Sequence, residues 1–288
     1  MKVITLLLLL SLSAYATQKG IYGEDNRLEV YQVEDKSLVE ASHSTASMIS
    51  KYKLGTSDEG IIITDSRTLR QKRFVCEDEP FAKQMAPIDC SGFLVAPDII
   101  VTAGHCMASK NSCKDNVWVF DYHADENGEA QVVLDKNNIY GCKELIEGAL
   151  DPWFFGRDHA IIKLDRPVID REPLKYRKIG KVEDDANLAV IGNPSGLPTK
   201  VTLDGHIRKN DNPYWFSTNL DAFGGNSGSA VLDEDSGLVE GILVRGDEDF
   251  YYDRISRCFR AAKYPMKDEN AMGEHVTRIT TSSYLVSL

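Results

Sequence analysis

The sequence predicts an all-β chain, barrel-like or sandwich-like. From about Phe74 onward it is cut into short β-branched and aromatic runs, among them Val117-Trp-Val-Phe120, Ala160-Ile-Ile-Lys-Leu164, Leu188-Ala-Val-Ile191 and Leu238-Val-Glu-Gly-Ile-Leu-Val244. Gly, Pro, Asn and Asp punctuate these runs, as turn residues do between strands. Sustained helical periodicity is missing except near the C-terminus, and no internal repeat is evident.

The N-terminal text differs. One positive charge at Lys2, the apolar run Val3 to Leu10 and the small-x-small triplet Ala14-Tyr15-Ala16 form the pattern of a cleaved export signal. The run is too short to cross the roughly 30 Å of a bilayer's hydrocarbon. A mature chain starting near Thr17 is expected, secreted to the extracellular space or the periplasm, without a stable membrane anchor. Residues from Thr17 to about Arg73 contain no cysteine, carry many charges and include the Ser/Thr/Ala-rich stretch Ala41 to Ser47. They read as a prosegment or an N-terminal arm packed on a body that spans 74–288.

Export permits disulfides, and all six cysteines lie beyond the signal: Cys76, Cys90, Cys106, Cys113, Cys142 and Cys258. No two of them stand two to four residues apart, so zinc-type spacing is missing. The formal net charge of −11 argues against nucleic acid or an anionic membrane as partner, since both favour a basic face. No organic cofactor is implied, and no acidic stretch has recognisable calcium-ligand spacing.

Two stretches carry chemistry. The first is Cys90-Ser-Gly-Phe-Leu-Val-Ala-Pro-Asp-Ile-Ile-Val-Thr-Ala-Gly-His105-Cys106, and the second is Gly224-Gly225-Asn226-Ser227-Gly228-Ser229. A serine hydroxyl is a weak nucleophile at neutral pH. It needs a base within hydrogen-bond reach and a third group that fixes the base's tautomer. Between the two stretches lies Arg157-Asp-His-Ala-Ile-Ile-Lys-Leu-Asp-Arg-Pro167, in which an acidic residue leads into an apolar run. Asp151 and Asp165 compete for the role of that acid, but their proximity to proline suits turns better. His123 and His159 read as surface or capping residues.

These segments, in the chain order His, Asp, Ser, resemble the chymotrypsin-like (trypsin-like) serine peptidases. The resemblance implies two six-stranded antiparallel barrels with the active site between them: barrel 1 over about 74–165 and barrel 2 over about 182–288, joined by a crossing segment near Arg166 to Lys181. It also implies His105, Asp158 and Ser227 as a triad, backbone amides of Gly225 and Ser227 as oxyanion donors, protein or peptide substrates and a monomer. It pairs Cys90 with Cys106 and leaves three ways to pair the rest. Of these we expect Cys113 with Cys142 and Cys76 with Cys258. An α/β-hydrolase is disfavoured, because its triad runs Ser, Asp, His and its nucleophile is followed two residues later by glycine, where this chain has Ser229.

The chain departs from the digestive enzymes of that family at Asn226, where they carry an aspartate that pairs with a newly cut N-terminus. Together with Gly192-Asn-Pro-Ser-Gly-Leu-Pro198, the serine loop is more similar to the bacterial trypsin-like enzymes, including the glutamyl endopeptidase branch. Asp221 stands six residues before Ser227, the spacing at which trypsin-like members carry the carboxylate of the primary specificity pocket. This predicts cleavage after Arg or Lys. Arg245, in Gly241-Ile-Leu-Val-Arg-Gly246, stands where an aromatic residue is common; it is expected to neutralise Asp221 or to receive an acidic side chain. A second class of function is a peptidase-like binding module that has lost catalysis.

Overall fold

The computed structural model describes residues 20–151, 156–266 and 271–288. The expected export signal and its cleavage point lie outside the described residues. Two closed antiparallel barrels of six strands each form the body of the described residues, with three smaller sheets beside them. Barrel 1 contains β1 (Thr45–Ser50), β2 (Cys90–Ala96), β3 (Ile99–Thr102), β4 (Asn116–Phe120), β5 (Ile139–Leu150) and β6 (Asp158–Leu164). Around the barrel their order is β5-β6-β3-β2-β1-β4, closed by the pairing of β4 with β5.

Barrel 2 contains β7 (Asn187–Gly192), β8 (Lys200–Lys209), β9 (Trp215–Thr218), β10 (Ala230–Asp233), β11 (Val239–Arg245) and β12 (Glu274–Arg278). Their order is β7-β10-β11-β12-β9-β8, closed between β7 and β8. Closure leaves few unpaired edges, and the β-branched runs of the sequence supply inward-facing residues at alternate positions. In barrel 1 Phe93, Ile100, Trp118 and Ile162 are buried together, and in barrel 2 Leu188, Val190, Phe216, Val231, Leu243 and Val276. Each such side chain contributes about 1.5–3 kcal/mol on burial.

The N-terminal region corrects the expected boundary near residue 73. β1 lies between β2 and β4 in the wall of barrel 1, with Ala46 opposite both Gly92 and Phe120. The strand Arg27–Glu29 adds to β8 of barrel 2. Residues 20–73 therefore belong to both barrels, and a prosegment ending at Arg73 would take a barrel strand with it. Sequence text alone misread this region because its barrel strand, Thr-Ala-Ser-Met-Ile-Ser, is half polar: Ser47 is buried through a hydrogen bond to Asn193 rather than through apolar character.

The three disulfides join Cys90 to Cys106, Cys113 to Cys142 and Cys76 to Cys258. The helical signal near the end corresponds to a short helix, Ser283–Ser287, whose start is fastened to barrel 1 where Tyr284 N–H and Ser283 Oγ donate to Glu147.

Candidate active site

Sheet register brings two of the three expected residues together. β3 and β6 run antiparallel with Thr102 opposite Ala160, so the first residue of β6, Asp158, comes level with the turn that follows β3. That turn, Gly104–Met107, carries His105 and is held to the start of β2 by the Cys90–Cys106 disulfide. Asp158 accepts two hydrogen bonds from His105, one from Nδ1 at 2.9 Å and one from the backbone N–H at 3.0 Å. Burial alone would raise the Asp158 carboxyl, but the bonds and charge of His105 hold it below the ordinary carboxylate value. An ionised acceptor at Nδ1 fixes the tautomer that leaves Nε2 as the basic nitrogen.

Ser227 sits in the loop between β9 and β10, on the barrel 2 side. Its carbonyl oxygen accepts from Ser91 N–H at 2.8 Å and lies 3.7 Å from the sulfur of Cys106, the neighbour of His105. The loop's peptide planes are set by their carbonyls. Gly224 O accepts from Ser195 N–H at 2.6 Å, and Asn226 O accepts from Ser229 N–H at 2.9 Å. In a trans peptide the N–H points opposite to the C=O, so the amides of Gly225 and Ser227 are turned away from these partners. Glycine is required for this path: Gly225 has φ +104°, and a Cβ there would come within 2.5 Å of Asn193 O. Gly228 has φ +93° and would meet Ser91 O at 2.0 Å.

Two supporting residues escaped the sequence reading. Asn193, fully buried, accepts from Ser47 and Ser91 hydroxyls and donates to Leu197 O, bracing the loop beneath Gly225. Ser91 donates to Gly225 O. The stretch Gly192 to Pro198 drew attention by resemblance; its structural task is to floor the serine loop.

The specificity residues do not behave as expected. Asp221 is 1 % exposed, and its two carboxylate oxygens accept the backbone N–H groups of Tyr22 at 2.6 Å and Asn26 at 3.0 Å. The N-terminal segment thus caps the carboxylate expected to receive a substrate cation. Burial raises its pKa to about 7 against the opposing pull of those two amides. Arg245 does not neutralise Asp221. Its charge acts on Asp158 instead, and its Nε is buried with no partner among the described residues.

The rival residues have other tasks. Asp151 accepts from Arg157 N–H at 2.9 Å and Asp165 from Gly141 N–H at 3.0 Å, both at turns. His159 is fully buried, contrary to its reading as a surface residue, and shares a 2.7 Å contact between Nε2 and Glu147. Cys90, His105 and Cys106 lie close enough to suggest a metal cluster, but both sulfurs are spent in a disulfide.

A family model described as the trypsin-like peptidase domain matches residues 90–242. The chain belongs to the trypsin-like peptidase family. A search of the curated proteins returned no match. Among solved structures this family member is similar to a Glu endopeptidase bound to MPD, at 17 % identity and TM-score 0.55, covering 93 % of this chain and 97 % of that one. It is also similar to the scabies mite inactivated protease paralogue S-I1, at 13 % identity and TM-score 0.51, covering 86 % and 94 %. At such identities the likeness establishes the shared fold. One of these relatives is an inactivated paralogue, so activity has to be argued from the residues themselves.

Proposed function

We propose that this trypsin-like peptidase is a secreted serine endopeptidase. Ser227 attacks the scissile carbonyl, His105 takes its proton and returns it to the leaving amine, and Asp158 holds the imidazole and stabilises its charged form. The observation that carries this reading is the paired hydrogen bond from His105 to a nearly buried, ionised Asp158, beside a serine loop whose glycines set the peptide planes. The amides of Gly225 and Ser227 act as donors to the tetrahedral oxyanion, where losing one donor typically costs about 3–4 kcal/mol. Asn226 is bonded to Ser229 Oγ at 3.3 Å, and N-terminal insertion of the digestive type plays no part. Three disulfides support export, and among the described residues no helix is long and apolar enough to cross a membrane.

A fluorophosphonate probe tests catalysis. Covalent labelling of the native chain is expected, with loss in Ser227→Ala and a drop of about 10⁴-fold in labelling rate in Asp158→Asn. Absence of labelling in folded native protein would favour the alternative, a binding module of the same fold.

For specificity, the capped Asp221 argues against the Arg/Lys preference that its position suggests. Arg245, with a buried guanidinium nitrogen lacking a partner among the described residues, at the end of the strand packed on the serine loop, favours acidic side chains in the substrate. A peptide-library digest read by mass spectrometry is expected to show no enrichment of Arg or Lys before the cut. Strong enrichment would restore Asp221 to the pocket.

A further inference from the structure

The geometry points to a second site: we propose that His43, Asp121 and His123, outside the catalytic machinery, bind a divalent ion of the zinc class. Topology assembles it. The helix α1 (Lys36–His43) ends two residues before β1, and Asp121 follows directly on β4. Because Ala46 pairs with Phe120, the end of the helix and the turn after β4 meet at one end of barrel 1. That turn is tight, with Asp121 at φ +57° and His123 N–H donating to Asp121 O at 2.9 Å.

One ligand atom from each residue lies within 4.8 Å of the other two. A tetrahedral zinc with bonds near 2 Å separates its ligands by about 3.3 Å, a spacing that lies between the shortest and the upper limit of the separations found here. Asp121 Oδ1 is 2.7 Å from His43 Nδ1, and the two imidazole rings are 5.5 Å apart.

His123 is the group that points to a ligand. Its Nε2 is buried and has no hydrogen-bond partner among the described residues. A buried imidazole nitrogen with no protein partner, beside a second imidazole and a carboxylate, is what a metal-ligating histidine offers an ion. The second oxygen of Asp121 is held by Arg171 at 3.0 Å and Asn138 at 3.2 Å. Arg171 is matched by Asp170 at 2.9 Å, which offsets its charge toward an incoming cation.

His43 is part-exposed and opens on a groove of about 900 Å³ that it lines with Glu40, Asp121, Asp170 and Arg171. The groove gives an entry path and room for water as the fourth ligand. Two imidazoles and one carboxylate suit zinc, whereas calcium and magnesium take oxygen ligands. On binding, neutral His43 turns a ring lone pair toward the ion and carries its hydrogen on the other nitrogen; the Nδ1 contact to Asp121 is exchanged for two bonds to metal.

The test uses the full secreted chain with Ser227→Ala to prevent self-digestion, stripped with chelator and titrated with zinc chloride in a calorimeter. Binding of one zinc at micromolar concentration or below is expected. It should weaken at least tenfold in His43→Ala and in His123→Ala, and stay unchanged in His206→Ala. The proposal fails if the parent binds no zinc, if His123→Ala binds equally well, or if only His105→Ala abolishes binding, which locates the ion at the catalytic histidine. Should the histidine variants not fold, cobalt replaces zinc in the parent: a tetrahedral visible spectrum supports the site, and one identical to aqueous cobalt overturns it.

Discussion

Asp221 shows how one buried carboxyl can set a pH dependence. Its folded pKa of about 7 stands above the ordinary 3.8, so the folded chain binds a proton that the unfolded chain has released between those values. The stabilisation is therefore complete below about pH 4 and is lost as pH rises through about 7. Three pH units correspond to an upper bound of roughly 4 kcal/mol. Relative to the native chain, Asp221→Asn should gain stability by up to this amount as pH is raised from 4 to 7, measured by chemical denaturation across that range. A constant difference between the two proteins would mean that Asp221 titrates normally. The same residue illustrates why spacing from Ser227 misleads: spacing fixes the backbone position, while the occupant of the carboxylate comes from a segment 199 residues away in sequence.

At the scale of elements, the strand Arg27–Glu29 is fastened to barrel 2 by a buried ion pair. Lys200 Nζ, 1 % exposed, donates to Glu29 at 2.9 Å and to Gln84 Oε1 at 3.0 Å, and Gln84 Nε2 donates back to Glu29 at 2.6 Å. Burial lowers the lysine's pKa to about 8 despite the attraction of Glu29. Removing one partner leaves a charge uncompensated in the interior, so Lys200→Ala should cost about 3–5 kcal/mol in denaturant unfolding. The double change Lys200→Met with Glu29→Gln should cost clearly less, because it removes both charges. Equal losses would show that packing, and not the unpaired charge, sets the penalty.

For the whole molecule, barrel closure makes the N-terminal region part of the fold. All three disulfides lie beyond residue 73, but β1 completes barrel 1 between β2 and β4, and the strand Arg27–Glu29 pairs with β8. A chain starting at Phe74 should therefore fail to give a cooperative unfolding transition, whereas one starting at Gly20 should retain it. N-terminal sequencing of the purified, labelled form is expected to place its first residue upstream of Ile21, which is fully buried. A native, soluble chain starting at Phe74 would return residues 17–73 to the status of a removable segment.

The sequence alone determined the β-rich class, because alternating apolar runs and turn residues are local signals. It also marked the His105, Asp158 and Ser227 segments, because each is a short motif whose spacing is written in adjacent residues. Tertiary structure decided what those motifs meet. Only sheet register sets Asp158 level with His105, only chain folding caps Asp221 with Tyr22 and Asn26, and only the pairing of β1 with β4 gathers His43, Asp121 and His123. The physical reason is that a side chain's neighbours across a sheet are fixed by long-range hydrogen bonding and burial, which no local pattern of residues records.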